Sequence, residues 1–164
     1  MIVIGYQGIG KSTLANKEVG YIDLESGNFW VDGVRAPDWY KPYCQIAEDL
    51  SKQGYTVFTS SHEVVREQLE NSSEDVVIVC PDVSLKEQWI EKLENRYQRS
   101  GLDKDYKAYM NALCRYEENI MELQESTIPN ITIQDINYNL RDLLEYYSMH
   151  EGLEGGRGID GYIS

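Results

Sequence analysis

The stretch "GYQGIGKST", residues 5–13, follows directly on the apolar run Met1-Ile2-Val3-Ile4, and how it is read decides the rest of the chain. Glycines stand at 5, 8 and 10. Glycine weakens strands and helices and is favoured where the backbone takes unusual angles or comes close to something. Gly5, Gly8, Gly10, Lys11 and Ser12 fit the pattern G-x-x-x-x-G-K-[ST] at every fixed position. In a loop of that pattern, backbone N–H groups surround nucleotide phosphates. Lys11 would then reach the β- and γ-phosphates, and the Ser12 hydroxyl would bind Mg²⁺.

The chain has 164 residues, 41% of them hydrophobic and 26% charged, which suits one soluble domain with a full core. Its net charge of −13 repels polyanions, and no basic patch offsets it, so extended nucleic acid is not an expected partner. Cys44, Cys80 and Cys114 are odd in number and lack C-x-x-C spacing, which fits reduced thiols rather than a disulfide scaffold or zinc site. No signal peptide and no membrane-length apolar run is visible, so the expected location is the cytoplasm.

Beyond the opening strand, four short segments read as strands: "GYIDL" (20–24), "YTVFTS" (55–60), "DVVIVC" (75–80) and "NITIQ" (130–134). Between them lie helical stretches. One, in "DWYKPYCQIAEDLSKQG", turns Ile46, Ala47 and Leu50 to one face. Ser60 with Glu63, and Ser84 with Glu87, give S-x-x-E start signals for two more. The longest, about Asp103 to Glu125, carries the periodic stripe Tyr106, Tyr109, Met110, Leu113, Tyr116, Ile120 and Leu123. A last helix around Asn139 to Tyr147 precedes a glycine-rich stretch, 149–164, expected to be a flexible tail. Strands alternating with helices predict a parallel sheet covered on both faces, with the glycine loop at its carboxyl edge.

A regulatory GTPase would carry N-K-x-D, yet the only "NK" is Asn16-Lys17, followed by Glu18 and Val19. A motor-type ATPase would end a strand in Asp-Glu, and no strand here does. The order of a glycine loop, an acidic second strand, a Pro-ended fourth strand and an Arg-bearing helix resembles the nucleoside monophosphate kinase-like group of P-loop (Walker A) kinases. Within that group, which includes adenylate, thymidylate and shikimate kinases, "TVFTSSHEVVREQL" and "VVIVCPDVSLKEQWIEKLENRYQRSG" look most like the small phage-type nucleotide kinases. The resemblance covers residues 1–148. It implies a three-layer α/β/α P-loop NTPase fold with a five-stranded parallel sheet in the order 2-3-1-4-5, an acceptor-binding segment at 25–50 and a lid-like region at 96–105.

The resemblance also implies roles. Gly8, Ile9, Gly10, Lys11, Ser12 and Thr13 match the phosphate loop that binds ATP, with Ser12 toward Mg²⁺. Arg96 and Arg99 match lid arginines that close over the phosphates; the other reading makes them a solvated helix end beside its negative pole. Asp23 matches an acidic position near the acceptor hydroxyl or Mg²⁺; the other reading makes it a helix or turn cap. Asn28, Phe29, Trp30, Arg35, Trp39 and Tyr40 fall in the acceptor segment, where aromatics beside Arg35 could stack a base and hold a phosphate. Trp30 and Trp39 read just as well as buried packing. Arg66 is a second candidate for the acceptor phosphate, while His62 is expected to cap or orient.

The resulting expectation is an ATP- and Mg²⁺-dependent phosphotransferase acting on a nucleotide or nucleoside, with Lys11, Asp23, Arg96 and Arg99 catalytic. Two other readings stay open: a kinase of a small metabolite or a modified DNA base, and a nucleotide-binding, ATP-hydrolysing module without a small acceptor.

Overall fold

A computed structural model describes residues 1–150 and 158–161. The described residues form an α/β fold, with six helices and five principal, all-parallel strands, an architecture compatible with three α/β/α layers. It divides into two compact units: Met1–Tyr6 with Gly10–Ile78, and Gln7–Ile9 with Val79–Ser164.

The first unit holds β1 (Ile2–Gly5), α1 (Lys11–Lys17), β2 (Tyr21–Asp23), a hairpin of β3 (Trp30–Val31) and β4 (Val34–Arg35), α2 (Tyr40–Lys52), β5 (Thr56–Thr59) and α3 (Glu63–Leu69). β6 (Val76–Pro81) is shared by both units, and the second continues with α4 (Lys86–Ser100), α5 (Asp103–Gln124), β7 (Asn130–Ile133), α6 (Leu140–His150) and β8 (Gly158–Gly161). The strand order is β2-β5-β1-β6 within the first unit and β6-β7-β8 within the second. This differs in detail from the expected five-strand order, because β8 adds an edge strand beside β7 and the hairpin forms a small sheet of its own. The hairpin has a sequence signal, Asp32-Gly33 between valines, and both turn residues take positive φ, 51° and 76°. Of the stretch expected to be a tail, 158–161 forms β8, and 151–157 and 162–164 lie outside the described residues.

Strands β1 and β6 are apolar without alternation and buried along their whole length, as parallel strands covered on both faces must be. β5 lies between β1 and β2, pairing Val57 with Ile2 and with Ile22. In the first unit Tyr43, Cys44 and Ala47 of α2 close over this core together with Val65 and Leu69 of α3. In the second, Trp89 and Leu93 of α4, Tyr116 and Ile120 of α5, and Leu143 and Leu144 of α6 are all buried.

Several local readings shift. On α2 the buried face is Tyr43, Cys44, Ala47 and Ser51, and Ile46 is exposed, because Ser51 turns inward to accept a hydrogen bond from the Met1 amino group at 2.9 Å. α3 starts after His62 with no side-chain cap; the Ser60 hydroxyl is engaged with His62 Nδ1 at 2.8 Å instead. Before α4 it is Asp82, not Ser84, that caps, accepting from the Ser84 N–H at 3.0 Å. In α5 the buried stripe narrows to Ala112, Tyr116, Ile120 and Leu123, while Tyr106 and Leu113 are exposed. The backbone at Arg115 is non-helical (φ −138°), a kink with no proline or glycine at that residue to announce it, although the buried positions keep helical spacing across it.

Candidate functional site

The glycine loop leaves β1 at Gly5 and enters α1 at Lys11. Gly8 and Gly10 both sit at strongly positive φ, 88° and 106°. Gly8 is doubly constrained: a Cβ there would stand 2.9 Å from Leu93 Cδ2 and 3.1 Å from Trp89 Nε1. Gly10 is the residue before α1 and takes the left-handed conformation with no side chain to cap the helix. Ile9 is buried, so only its backbone is available to a ligand, whereas Ser12 and Thr13 are exposed.

Within the first unit the chemistry gathers at the carboxyl ends of its strands. The Lys11 ammonium donates to Gly5 O at 2.9 Å and to Thr59 O at 3.5 Å, the last residues of β1 and β5. Asp23 is the last residue of β2, half-buried, and its charge is felt by Tyr43. The Tyr43 hydroxyl donates to Leu24 O at 2.7 Å and accepts from the Ser60 N–H at 2.9 Å, so one buried phenol ties the exit of β2 to the exit of β5. Burial pushes that hydroxyl up to about 12, against the pull of the Ser60 hydrogen bonds and with help from Asp23.

Beside it the acceptor segment folds into an aromatic cluster. The Arg35 guanidinium lies 3.8 Å from the Trp39 ring centroid and 4.9 Å from that of Trp30. Trp39 is buried and meets Tyr43, Phe29 and His62 edge-on or tilted, the last at 5.4 Å. Trp30 is 51% exposed, so the two tryptophans divide between the two sequence readings: Trp39 packs, and Trp30 offers a face to solvent. Desolvation first, then the charges of Arg35 and Lys11, hold the His62 imidazole below its usual range and keep it neutral near pH 7. Those two couplings bring Lys11, Arg35 and His62 into one electrostatic neighbourhood. Arg66 is further back, its Nε donating to Ser61 O at 3.1 Å.

The second unit carries the other predicted arginines. Arg96 forms an ion pair with the buried Asp105, Nη2 to Oδ1 at 2.8 Å and Nε to Oδ1 at 2.8 Å, and Ser100 donates to the other carboxylate oxygen. Burial alone would raise the Asp105 carboxyl; Ser100 and Arg96 outweigh it and hold it below the ordinary range. Arg99, in the last turn of α4, is exposed. Sequence reading missed what supports the loop segment 7–9 in this unit. Trp89 Nε1 donates to Gln7 O at 2.9 Å, the Tyr138 hydroxyl to Ile9 O at 2.6 Å, and the Gln7 side chain to Ala108 O at 3.0 Å. Tyr138 lies 129 positions from Ile9, and no spacing rule reaches that far.

Among the described residues, no group of three or more His, Cys, Asp or Glu side chains is arranged to hold a metal ion, and no helix is long and apolar enough to cross a membrane. Cys44 and Cys80 are buried free thiols, each pushed by burial up to about 12, which makes them inert; Cys114 is exposed. No protein-family model matches the chain, and no curated protein matches it.

Proposed function

We propose that the chain is a small P-loop phosphotransferase that moves the γ-phosphoryl group of ATP to a nucleotide or nucleoside. The observation that carries this is the setting of Lys11: its ammonium rests on Gly5 O and Thr59 O, at the carboxyl ends of two parallel strands, in a loop whose Gly8 and Gly10 take positive φ. Ligands of open parallel sheets bind at that edge. The 3.5 Å contact to Thr59 O is the one a phosphate oxygen would replace.

In this reading the loop Gly8–Thr13 turns N–H groups to the phosphates, and Lys11 neutralises charge that builds on the transferring group. Ser12, exposed in the first turn of α1, would hold Mg²⁺ alongside phosphate oxygens and water, and that ion supplies charge neutralisation when bound. The acceptor oxygen forms its bond to phosphorus as the bond to the ADP oxygen breaks. For a hydroxyl acceptor, Asp23 takes the released proton. Arg35, backed by Trp39, offers its guanidinium to an acceptor phosphate while the exposed face of Trp30 offers a platform for a base, with Arg66 on α3 as a second cation. Of the two arginines expected to be catalytic, Arg99 is exposed and Arg96 is engaged by Asp105.

The test is ADP formation from Mg²⁺ and ATP across a panel of nucleoside monophosphates, nucleosides and small hydroxy acids. Turnover should require one acceptor and fall by about 10³-fold in Lys11→Met, with thermal unfolding unchanged. Slow turnover indifferent to every acceptor would replace the kinase with an ATP-hydrolysing module.

A further inference from the structure

We propose that Lys92 is a positioning residue for the phosphate loop: acting through Tyr138, and beside Trp89, it holds the Gln7 and Ile9 carbonyls to one side so that the Gly8 and Gly10 N–H groups face a phosphate on the other. This rests on the phosphate-loop reading and extends it to residues that touch no ligand.

The geometry is two donor chains that end on neighbouring loop carbonyls and are joined by ring contacts. Lys92 Nζ donates to the Tyr138 hydroxyl oxygen at 3.1 Å, and that hydroxyl donates to Ile9 O at 2.6 Å. Trp89 and Tyr138 stack with centroids 5.9 Å apart, and the Lys92 ammonium lies over both rings, 4.4 Å from the first and 5.0 Å from the second. Trp89 supplies the second fixed point by donating to Gln7 O at 2.9 Å.

A peptide unit is planar, and in its trans form C=O and N–H point in opposite directions. No described peptide is cis. Fixing Gln7 O therefore fixes the direction of the Gly8 N–H, and fixing Ile9 O that of the Gly10 N–H. Both are turned away from Trp89 and Tyr138. Leu93 and Trp89 of α4 pack close against Gly8, where an added Cβ would stand 2.9 Å from Leu93 Cδ2.

The polarity of the chain depends on charge. An ammonium has donors and no acceptor, so it must use the lone pair of Tyr138 and leave the phenolic proton for Ile9 O. Accepting from a cation also strengthens the phenol as a donor. A neutral amine has a lone pair, can take the phenolic proton itself, and would release Ile9 O. Burial, and then the charge of Arg96, lower the Lys92 amine to about 8, within reach of ordinary conditions. Among the described residues, the charged and titratable groups seen to act on it are Arg96, one turn along α4 and paired with Asp105, and Tyr138, whose hydroxyl burial raises above its usual range. Gln7, Gly8 and Ile9 contribute none.

Calorimetric binding of Mg·ATP to the full chain near pH 7 and near pH 9 tests this, with thermal unfolding of each variant as a folding control. The wild type should bind about tenfold more weakly at the higher pH. Lys92→Met should be weak at both, and Lys92→Arg, whose guanidinium does not titrate, tight at both. Tyr138→Phe should match Lys92→Met, and combining the two should cost nothing more. Wild-type-like binding by Lys92→Met at both pH values, or a wild-type pH drop persisting in Lys92→Arg, overturns the proposal while leaving the phosphate loop intact. Should Lys92→Met fail to fold, Tyr138→Phe, which removes one oxygen, decides: unchanged binding overturns it. A wild type that binds no ATP, like Lys11→Met, overturns the phosphate loop and this inference together.

Discussion

Each unit of the chain sets a cation on aromatic rings, and the two clusters differ in what surrounds the charge. Arg35 lies between Trp39 and Trp30 on a hairpin whose Val31 and Val34 are each 69% exposed. Lys92 lies over Trp89 and Tyr138, where Trp89 is fully buried and the amine is desolvated enough to titrate near 8. A cation–aromatic contact at the surface contributes under about 1 kcal/mol, so in the proposed function the Arg35 charge would meet an acceptor at little cost. The same ingredients, buried and hydrogen-bonded to backbone, become part of the scaffold. Burial, rather than residue type, separates the cation left near the surface from the one built into the support of the glycine loop.

The largest effect that would sharpen this contrast is on stability. Trp89→Ala should cost about 4 kcal/mol, because it opens a cavity and abandons the Gln7 carbonyl. Trp30→Ala should stay within about 0.5 kcal/mol. Urea unfolding of both variants reads the difference, and equal costs would break the comparison. Next is Asp105, the carboxylate that gives the second unit its fixed arginine. Asp105→Asn should lose about 2 kcal/mol at neutral pH, discounted because Arg96 is 41% exposed. Since the folded Asp105 titrates below its unfolded range, its contribution is present above about pH 4 and is lost as pH falls through the depressed value. Unfolding curves of the variant and the wild type should therefore converge toward acid. The smallest effect belongs to the open cluster: Arg35→Ala should raise the acceptor KM about tenfold, with kcat and unfolding little changed. A fall in stability instead would make Arg35 a second scaffold cation.

The elements legible in the sequence were those set by local pattern. Unbroken apolar runs gave β1 and β6 because strands covered on both faces admit no polar alternation. The loop glycines were legible because positive φ at 8 and 10 excludes nearly every other residue. Helix faces were read less well. On α5 the apolar positions were too many for one buried stripe, and the small Ala112 is buried where Leu113 is exposed; on α2, Ser51 is buried for a partner that no spacing identifies. Arg96 was legible as a cation but not as one committed to Asp105, since either role needs the same residue at the same place.

What the sequence by itself determined, then, is chemistry with a short reach: a strand, a glycine loop, a lysine and a hydroxyl in fixed succession. Tertiary structure alone decided which side chains hold that loop. Trp89 and Tyr138 are 82 and 129 positions from the carbonyls they bind. Hydrogen bonds act over about 3 Å of space and are blind to distance along the chain, so only the folded packing of α4 and the segment before α6 could bring those donors to Gln7 and Ile9.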